Sequence, residues 1–242
     1  MKKFFFRIII FILIAIISIL SLLIGTGYSM YIKALKDVSI EEKVEEIKAN
    51  KNYTDINSVC TMYKDAVVAV EDHRFYEHNG VDVRAIFRAI VTDIKYNELK
   101  EGGSTITQQL AKNTYFTQNK ELTRKIAEGF MASKYEKNLE KDDILELYVN
   151  TSYFGDGYYS IKEASLGYFE KEPSELNDFE ATMLAGIPNA PSVYSPTVNF
   201  ELASQRQKQV LTKMVKYGYI NDDRMKEILS QTEIYREYFN KK

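Results

Sequence analysis

The pattern of apolar and polar positions divides the chain into an apolar N-terminal run and a longer part with helical spacing. Residues 8–24 carry no charge, and the uncharged stretch extends to residue 32, long enough for a helix that crosses a bilayer. From about residue 64, apolar residues recur mostly at the spacing of amphipathic helices, without strand alternation longer than a few residues. Asn177 can cap one helix and Gly218 can end another. The pattern predicts a mainly α domain, with helices at 83–90, 106–112, 122–136, 142–149, 179–185, 202–217 and 221–238.

The apolar N-terminal run has two interpretations, an uncleaved anchor and a cleaved signal peptide. The apolar region of a signal peptide is roughly 7–15 residues long and ends at a small-residue cleavage site. Here the run is longer and no Ala-x-Ala follows it. We therefore expect an uncleaved transmembrane anchor at 8–32, a cytoplasmic tail at 1–7, a linker or stalk at 33–58 and a folded domain at 59–242.

The charges beside the predicted anchor give only a weak orientation signal. Lys2, Lys3 and Arg7 precede the span, while Lys33 and Lys36 follow it. The short tail before a single span favours a cytoplasmic N-terminus. We expect the large domain to lie on the outer side of the membrane.

Composition excludes several classes of site. The net charge is only -2, which gives no basis for a nucleic-acid partner. One cysteine, Cys60, allows no intrachain disulfide, and with two histidines the chain cannot build a Cys/His metal cluster. Apolar residues make up 45% of the chain, enough for a sizeable core.

Residues 69–82 combine charged and apolar residues unusually densely. The segment holds four carboxylates, both histidines and an arginine beside the apolar run 66–70. A carboxylate held against apolar side chains tends to have a raised pKa, and such a base can accept a proton from a sugar hydroxyl. A solvated charged turn after a core helix is the alternative, and this segment alone leaves both open.

Within that segment the spacing suggests a shared helix face. Glu71, Phe75 and His78 lie at i, i+4 and i+7, so a helix would place them on one side. Asp72 would lie on another face and could cap or orient. Asp82 is placed to cap the helix that begins at residue 83.

A second segment, residues 101–113, contains two glycines, then Ser104 and Thr105, and then a helix. Free N–H groups at such a helix start favour anions such as phosphate. Thr105, Gln109 and Lys112 lie at i, i+4 and i+7, so a hydroxyl, an amide and a cation would share one face. A plain glycine turn with a capped helix is the alternative.

Three further segments are less specific by themselves. Arg124 and Glu128 lie at i and i+4, which in isolation indicates an ordinary surface ion pair. The polar and aromatic turn at 150–157, which includes Tyr153, could form a cleft wall. The proline-containing segment 184–196 suggests a structural brace.

All five segments, in this order, resemble the peptidoglycan glycosyltransferase family, whose transglycosylases occur alone or as the N-terminal half of class A penicillin-binding proteins. The resemblance spans about residues 59–226 and rests chiefly on two motifs. These are Glu71-Asp72-x-x-Phe75-x-x-His78-x-Gly80-x-Asp82 and Gly102-Gly103-Ser104-Thr105-Ile106-Thr107-Gln108-Gln109. The family implies a lysozyme-like, mainly α fold. It also implies polymerisation of lipid II, a disaccharide-pentapeptide on undecaprenyl pyrophosphate, outside the bacterial cell membrane.

The resemblance also implies residue roles. Glu71 would be the general base that activates the acceptor 4-hydroxyl for attack with inversion, and Glu128 would be the second acid near the departing pyrophosphate. The cations Lys112 and Arg124 would neutralise that pyrophosphate. The remaining residues implied in substrate binding or in shaping the site are Ser104, Thr105, Gln109, Lys120, Asp72, Phe75, His78 and Tyr153.

The implied cofactors and partners follow from the same resemblance. A divalent cation, Mg or Mn, would act at Glu128, and no organic cofactor is expected. Partners would be lipid II, the growing lipid-linked glycan, the bacterial membrane and other cell-wall synthesis proteins. Neither Ser-x-x-Lys nor Lys-Thr-Gly occurs, so we expect no penicillin-type acylation and a monofunctional chain.

Two other functions remain as alternatives. A hydrolase on the same fold would also use two carboxylates. A non-catalytic membrane-anchored scaffold is the third possibility. The anchor and the cations at Lys112 and Arg124 favour a lipid pyrophosphate donor over the hydrolase, and the presence of every proposed catalytic residue argues against the scaffold.

Overall fold

The computed structural model describes residues 2–96, 103–116 and 122–242, and every regular element within them is helical. Short 3₁₀ turns lie at Ile56–Ser58, Phe75–Glu77 and Ile187–Asn189. The mainly α prediction is confirmed. The α-helices are α1 (Lys2–Asp37), α2 (Ile40–Lys48), α3 (Thr61–Glu71), α4 (Val83–Tyr96), α5 (Ile106–Tyr115), α6 (Leu122–Asn138), α7 (Lys141–Val149), α8 (Ile161–Phe169), α9 (Asp178–Gly186), α10 (Pro191–Tyr194), α11 (Phe200–Lys216), α12 (Asp222–Leu229) and α13 (Thr232–Asn240).

The core is built around α9, a helix whose residues 179–186 are all buried. Helices α3 and α11 pack against it and against each other, while α5 packs between α6 and α7. A mainly apolar helix without an exposed polar face must be covered by neighbours, which is why α9 lies at the centre. The two catalytic candidates therefore start from packed helices, Glu71 at the end of α3 and Glu128 within α6.

The N-terminal run forms the single long helix α1. Its segment Phe4–Asp37 is long and apolar enough to cross a membrane: an 18-residue window within it has a mean hydropathy of 3.2 and is not buried against the rest of the protein. The helix continues five residues beyond the predicted end of the span at residue 32 and packs along α6. A membrane-anchored protein is consistent with this helix.

Residues 33–58, predicted as a linker or stalk, contact the domain along their length. Ser39 caps α2, and its carbonyl accepts a hydrogen bond from the Tyr115 hydroxyl at 2.8 Å. The buried Glu146 carboxylate accepts the Ile56 N–H at 2.9 Å. The side chain of Asn150 bonds both the N–H and the carbonyl of Thr54 at 2.8 Å. The segment thus packs as part of the folded unit, and the boundary at residue 58 stays a prediction.

The predicted caps occur, but the last predicted helix is wrong in one respect. Asn177 caps α9 through its side chain, and Gly218 has a φ of 80° after α11. The predicted helix 221–238 is instead two helices, α12 and α13. At the break the Ser230 hydroxyl donates to the Glu227 carbonyl and the Thr232 hydroxyl to the Leu229 carbonyl, both at 2.7 Å. Such local bonds compete with the helix ladder.

Helix α8 was not predicted, because its solvent-facing side is partly apolar. Ile161, Ala164, Tyr168 and Phe169 form a buried stripe, but the opposite face includes the 40% exposed Leu166 and Gly167, so the contrast between an apolar and a polar face is weak. Its N-cap Ser160 accepts the Glu163 N–H at 3.2 Å.

Candidate active site

The charged segment after α3 is a tight turn and not a helix. Helix α3 ends at Glu71, Asp72 has a non-helical backbone, and Phe75 begins a 3₁₀ turn. The expectation that Glu71, Phe75 and His78 share one helix face is therefore wrong, because the helix stops before the second of them. Gly80 closes the turn with a φ of 84°, and a Cβ there would lie 2.9 Å from the Ala132 carbonyl carbon. Glycine is needed at this position on both grounds.

Asp72 joins this turn to the start of α5. Its buried carboxylate contacts His78 Nε2 at 2.9 Å and accepts the Ile106 N–H at 3.1 Å. Asp72 thus accepts a backbone N–H at the start of α5, as a capping residue does, and its orienting role in the site stays a prediction. One side chain thereby fixes the end of α3, which carries Glu71, against the helix that carries Gln109 and Lys112.

Glu71 is held by two donors from two other helices. Gln109 Nε2 on α5 donates to Glu71 Oε2 at 2.7 Å, and Arg206 Nη2 on α11 lies 3.4 Å from Glu71 Oε1. The Glu71 side chain is 9% exposed, so it is nearly enclosed yet reaches a cavity. The sequence did not indicate Arg206, because one arginine in an amphipathic helix carries no distinguishing signal.

Glu128 is the centre of a cationic cluster. Its side chain is 0% exposed and pairs with Arg124 through one carboxylate oxygen and with Lys125 Nζ through the other, the latter at 2.7 Å. Lys125 Nζ also donates to Ser104 Oγ at 2.6 Å, which links α6 to the segment before α5. The interpretation of Arg124 and Glu128 as a surface pair is wrong. Lys125 was missed because its spacing from Glu128 is common on helices.

Lys112 is the third cation of the cluster. Burial lowers its pKa, as do the charges of Lys125 and Arg124, whereas Glu128 and Glu71 act in the opposite direction. The ammonium group therefore lies within electrostatic reach of both candidate acids. Among Lys112, Arg124, Lys125 and Glu128, positive charges exceed negative charges by two. An anionic group would relieve that excess.

The two acids open onto one cavity of about 1060 Å³. Helices α3, α5, α6 and α11 and the segment at 188–194 contribute to its wall. His73 lies in the wall with its ring stacked on Tyr217 at 4.1 Å, and burial and nearby arginines lower the pKa of His73. The proline-containing segment is therefore part of the cavity wall, in addition to any bracing role. The polar and charged lining residues are Glu71, His73, Arg88, Ser104, Gln109, Lys112, Lys125, Glu128, Asn189, Tyr194, Gln205, Arg206, Lys208, Gln209, Thr212, Lys213 and Tyr217.

Comparison with known proteins decides the family. The family described as Transglycosylase matches residues 39–215, a range that contains both acids, Gln109, Arg206 and the cations Lys112, Arg124 and Lys125. The chain belongs to the transglycosylase family. The resemblance stated from the motifs is thereby confirmed, together with the lysozyme-like fold class and the assignment of the chain as a peptidoglycan glycosyltransferase.

Curated relatives of this transglycosylase are larger proteins. It is 42% identical over 189 residues to penicillin-binding protein 1A of Neisseria flavescens, covering 78% of this chain and 24% of that protein. It is 38% identical over 231 residues to penicillin-binding protein 1F of Bacillus subtilis, covering 91% and 32%. The chain thus spans about a quarter to a third of the length of these relatives.

Some predicted site residues of the transglycosylase lie away from the cavity. Thr105 is 1% exposed, caps α5 and donates to the Gly80 carbonyl at 2.6 Å, so its hydroxyl is already used. Phe75 is fully buried, with Lys141 Nζ 4.5 Å from the centre of its ring, and His78 faces Asp72. Tyr153 packs on Tyr159 with ring centroids 4.6 Å apart and is not among the residues that line the cavity. These side chains support the site or lie beside it, because packing or internal hydrogen bonds already occupy them.

The other predicted site residues meet in the cavity wall, except for Asp72, Arg124 and Lys120. Ser104, Gln109 and Lys112 line it together with both acids. Arg124 is not among the lining residues but pairs with Glu128, which is. Lys120 falls outside the described residues, as does Gly102.

The donor set around Glu128 does not by itself fit a divalent cation. Both carboxylate oxygens already contact cationic side chains. In the described ranges no group of three or more His, Cys, Asp or Glu side chains is placed to hold a metal. Magnesium and manganese prefer several oxygen ligands. The groups available for chemistry in this cavity are therefore the chain's own side chains.

Proposed function

We propose that this transglycosylase polymerises lipid II into glycan strands at the outer face of a bacterial membrane. Each addition joins the 4-hydroxyl of one saccharide to the anomeric carbon of another and releases undecaprenyl pyrophosphate. The supporting observation is that one cavity contains both a held carboxylate, Glu71, and a cluster with excess positive charge around Glu128.

Glu71 supplies the general base in this proposal. Its carboxylate takes the proton of the acceptor 4-hydroxyl as that oxygen forms a bond to the anomeric carbon. Gln109 and Arg206 hold the two carboxylate oxygens, so the base does not have to be oriented during the reaction. A single displacement of this kind inverts the configuration at the anomeric carbon.

The cluster of Lys112, Arg124 and Lys125 stabilises the leaving group. As the bond between the anomeric carbon and oxygen breaks, the electron pair goes to the pyrophosphate, whose negative charge increases. Charge-assisted hydrogen bonds from fixed cations become stronger as that charge develops. Glu128 holds Arg124 and Lys125 in place and keeps their separation fixed. Cations suffice here because pyrophosphate leaves without a strong general acid.

The apolar helix α1 supports a reaction beside the bilayer. A lipid-linked donor and a lipid-linked growing strand both stay in the bilayer, and α1 would hold the cavity beside it. We propose that the domain lies outside the cytoplasm and that other cell-wall synthesis proteins are partners.

The test uses the full-length protein with labelled lipid II in detergent. We expect polymer from wild type, and a loss of about 10²–10⁴-fold in rate for Glu71→Gln, which keeps the shape but removes the base. Glu77→Gln is the matched control, an exposed acid six residues on, and should keep wild-type activity. The product should have the anomeric configuration opposite to the donor's.

Three results would overturn the proposal. One is polymer formation by Glu71→Gln at the wild-type rate. Another is cleavage of preformed glycan without synthesis, which would indicate the hydrolase. The third is turnover of neither substrate, which would indicate the scaffold. Inhibition by moenomycin, a mimic of the lipid-linked donor in this family, is a companion test.

A further inference from the structure

Helix α6 has two functional faces that lie roughly half a turn apart. At 3.6 residues per turn, Thr123, Ile126 and Phe130 form one stripe. The other stripe carries Arg124, Lys125 and Glu128; Lys125 and Glu128 line the cavity, and Arg124 pairs with Glu128. The first stripe contacts α1, the membrane anchor.

Gly27 lies where the backbone of α1 comes close to α6. A Cβ built at Gly27 would lie 2.7 Å from Ile126 Cγ2 and 2.9 Å from the carbonyl oxygen of Thr123. Real Cβ atoms do not come so close, so any side chain here requires one helix to move. Gly25, two residues earlier, has nothing within 4 Å of its Cβ position. The requirement for glycine is therefore specific to one position on the anchor.

The anchor is held beyond Gly27, so it cannot easily swing away from α6. Tyr28 and Tyr31 pack on the Phe130 ring with centroid distances of 5.2 and 5.8 Å. Only two residues separate α1 from α2, and the carbonyl of one of them, Ser39, accepts a hydrogen bond from the Tyr115 hydroxyl. A larger side chain at residue 27 would therefore displace the first two turns of α6, which carry Arg124 and Lys125.

We propose that Gly27 is a positioning residue that seats the membrane anchor on α6 and thereby sets the cationic cluster for the lipid pyrophosphate. Lys125 Nζ bridges Glu128 and Ser104 with bonds of 2.7 and 2.6 Å, so a shift of about 1 Å breaks the bridge. The inference rests on the proposed function in one respect, the assignment of this cluster to pyrophosphate. Glu71 lies on α3, so the base is untouched.

The experiment compares full-length Gly27→Leu with Gly25→Leu, both in detergent and in liposomes. The probe is inorganic pyrophosphate, whose inhibition constant against lipid II does not depend on the fraction of active protein. For Gly27→Leu we expect this constant to rise about tenfold or more, the effect of losing one charge-assisted hydrogen bond. Gly25→Leu should stay within about twofold of wild type. The milder Gly27→Ala should give an intermediate value and covers the case in which Gly27→Leu does not fold.

Titration calorimetry with pyrophosphate separates this inference from the proposed function, because it needs no turnover. If wild type fails to polymerise lipid II but Gly27 variants still bind pyrophosphate more weakly, the inference stands without the proposed function. Unchanged pyrophosphate affinity in folded Gly27→Leu and Gly27→Ala would overturn the inference, even if their turnover falls. Equal weakening by Gly25→Leu would overturn it as well.

Discussion

Replacing Glu128 with glutamine tests the electrostatic logic of the cluster directly. The side chain is fully buried and pairs with a cation through each oxygen. Glutamine keeps the shape but removes the negative charge, so Lys112, Arg124 and Lys125 lose the carboxylate that offsets their repulsion. Glu128→Gln should therefore lower both stability and activity.

The magnitude follows from burial. Removing one partner of a buried ion pair costs about 3–5 kcal/mol. The Lys125 side chain is 41% exposed, so water screens its interaction with Glu128. The lower end of that range of destabilisation, about 3 kcal/mol, therefore applies. For a chain of this size each kcal/mol lowers Tm by about 2–4 °C. We expect a fall in Tm of roughly 6–12 °C.

The assay is thermal unfolding in detergent, with and without pyrophosphate. Pyrophosphate should raise the Tm of Glu128→Gln more than that of wild type, since the anion replaces the missing charge. Glu233→Gln is the control, because Glu233 is 77% exposed in its pair with Arg236 and should change Tm little. A fall in Tm for Glu128→Gln no larger than for this control would refute the reasoning.

Three further substitutions give distinct readouts. Gln109→Leu removes the donor at 2.7 Å from Glu71, and kcat/KM should fall about 10–150-fold in steady-state assays; a fall under threefold would count against the orienting role. Burial lowers the pKa of Lys112, so kcat/KM should begin to fall with rising pH below the ordinary lysine pKa. Lys112→Arg should move this fall to higher pH, and an unchanged pH profile would show that Lys112 is not the titrating group. Burial raises the pKa of Asp82, but its hydrogen bonds to Arg74 and to a backbone N–H outweigh this effect and leave the pKa lowered. The ionised carboxylate therefore stabilises the fold at pH values above the ordinary aspartate pKa, and this stabilisation is lost as the pH falls through the lowered pKa of the folded protein. Asp82→Asn should thus cost about 1.5–3 kcal/mol at pH 7 in urea unfolding, and the cost should vanish in strong acid; a cost independent of pH would contradict it.

Local signals in the sequence carried most of the fold. Polar caps such as Asp82 and Asn177 and the amphipathic spacing identified the helices around the site, because those signals act over a few residues. Helix α8 was not predicted, since the exposed Leu166 on its solvent-facing side weakens the contrast between its apolar and polar faces. The break between α12 and α13 was also not predicted, because two hydroxyl bonds to the backbone decide it.

The site was only partly accessible to sequence reasoning. The motifs indicated Glu71, Gln109 and Lys112, which the folded chain brings together in the cavity wall. Arg206 lies 135 residues from Glu71 in the chain, and no local pattern reports a contact over that separation. Thr105 was predicted as a site residue but caps α5 instead. A threonine hydroxyl suits both roles, so the sequence alone does not distinguish substrate binding from helix capping.

The close connection between anchor and domain limits where the protein can meet its substrate. Within residues 33–58 side-chain and backbone bonds fasten the chain to the domain, so the cavity has little freedom to swing above the bilayer. Encounter would then depend on lateral diffusion of lipids within one leaflet, a search in two dimensions. Surface density of the donor in the membrane, and not its concentration in bulk solution, would set the rate at low substrate.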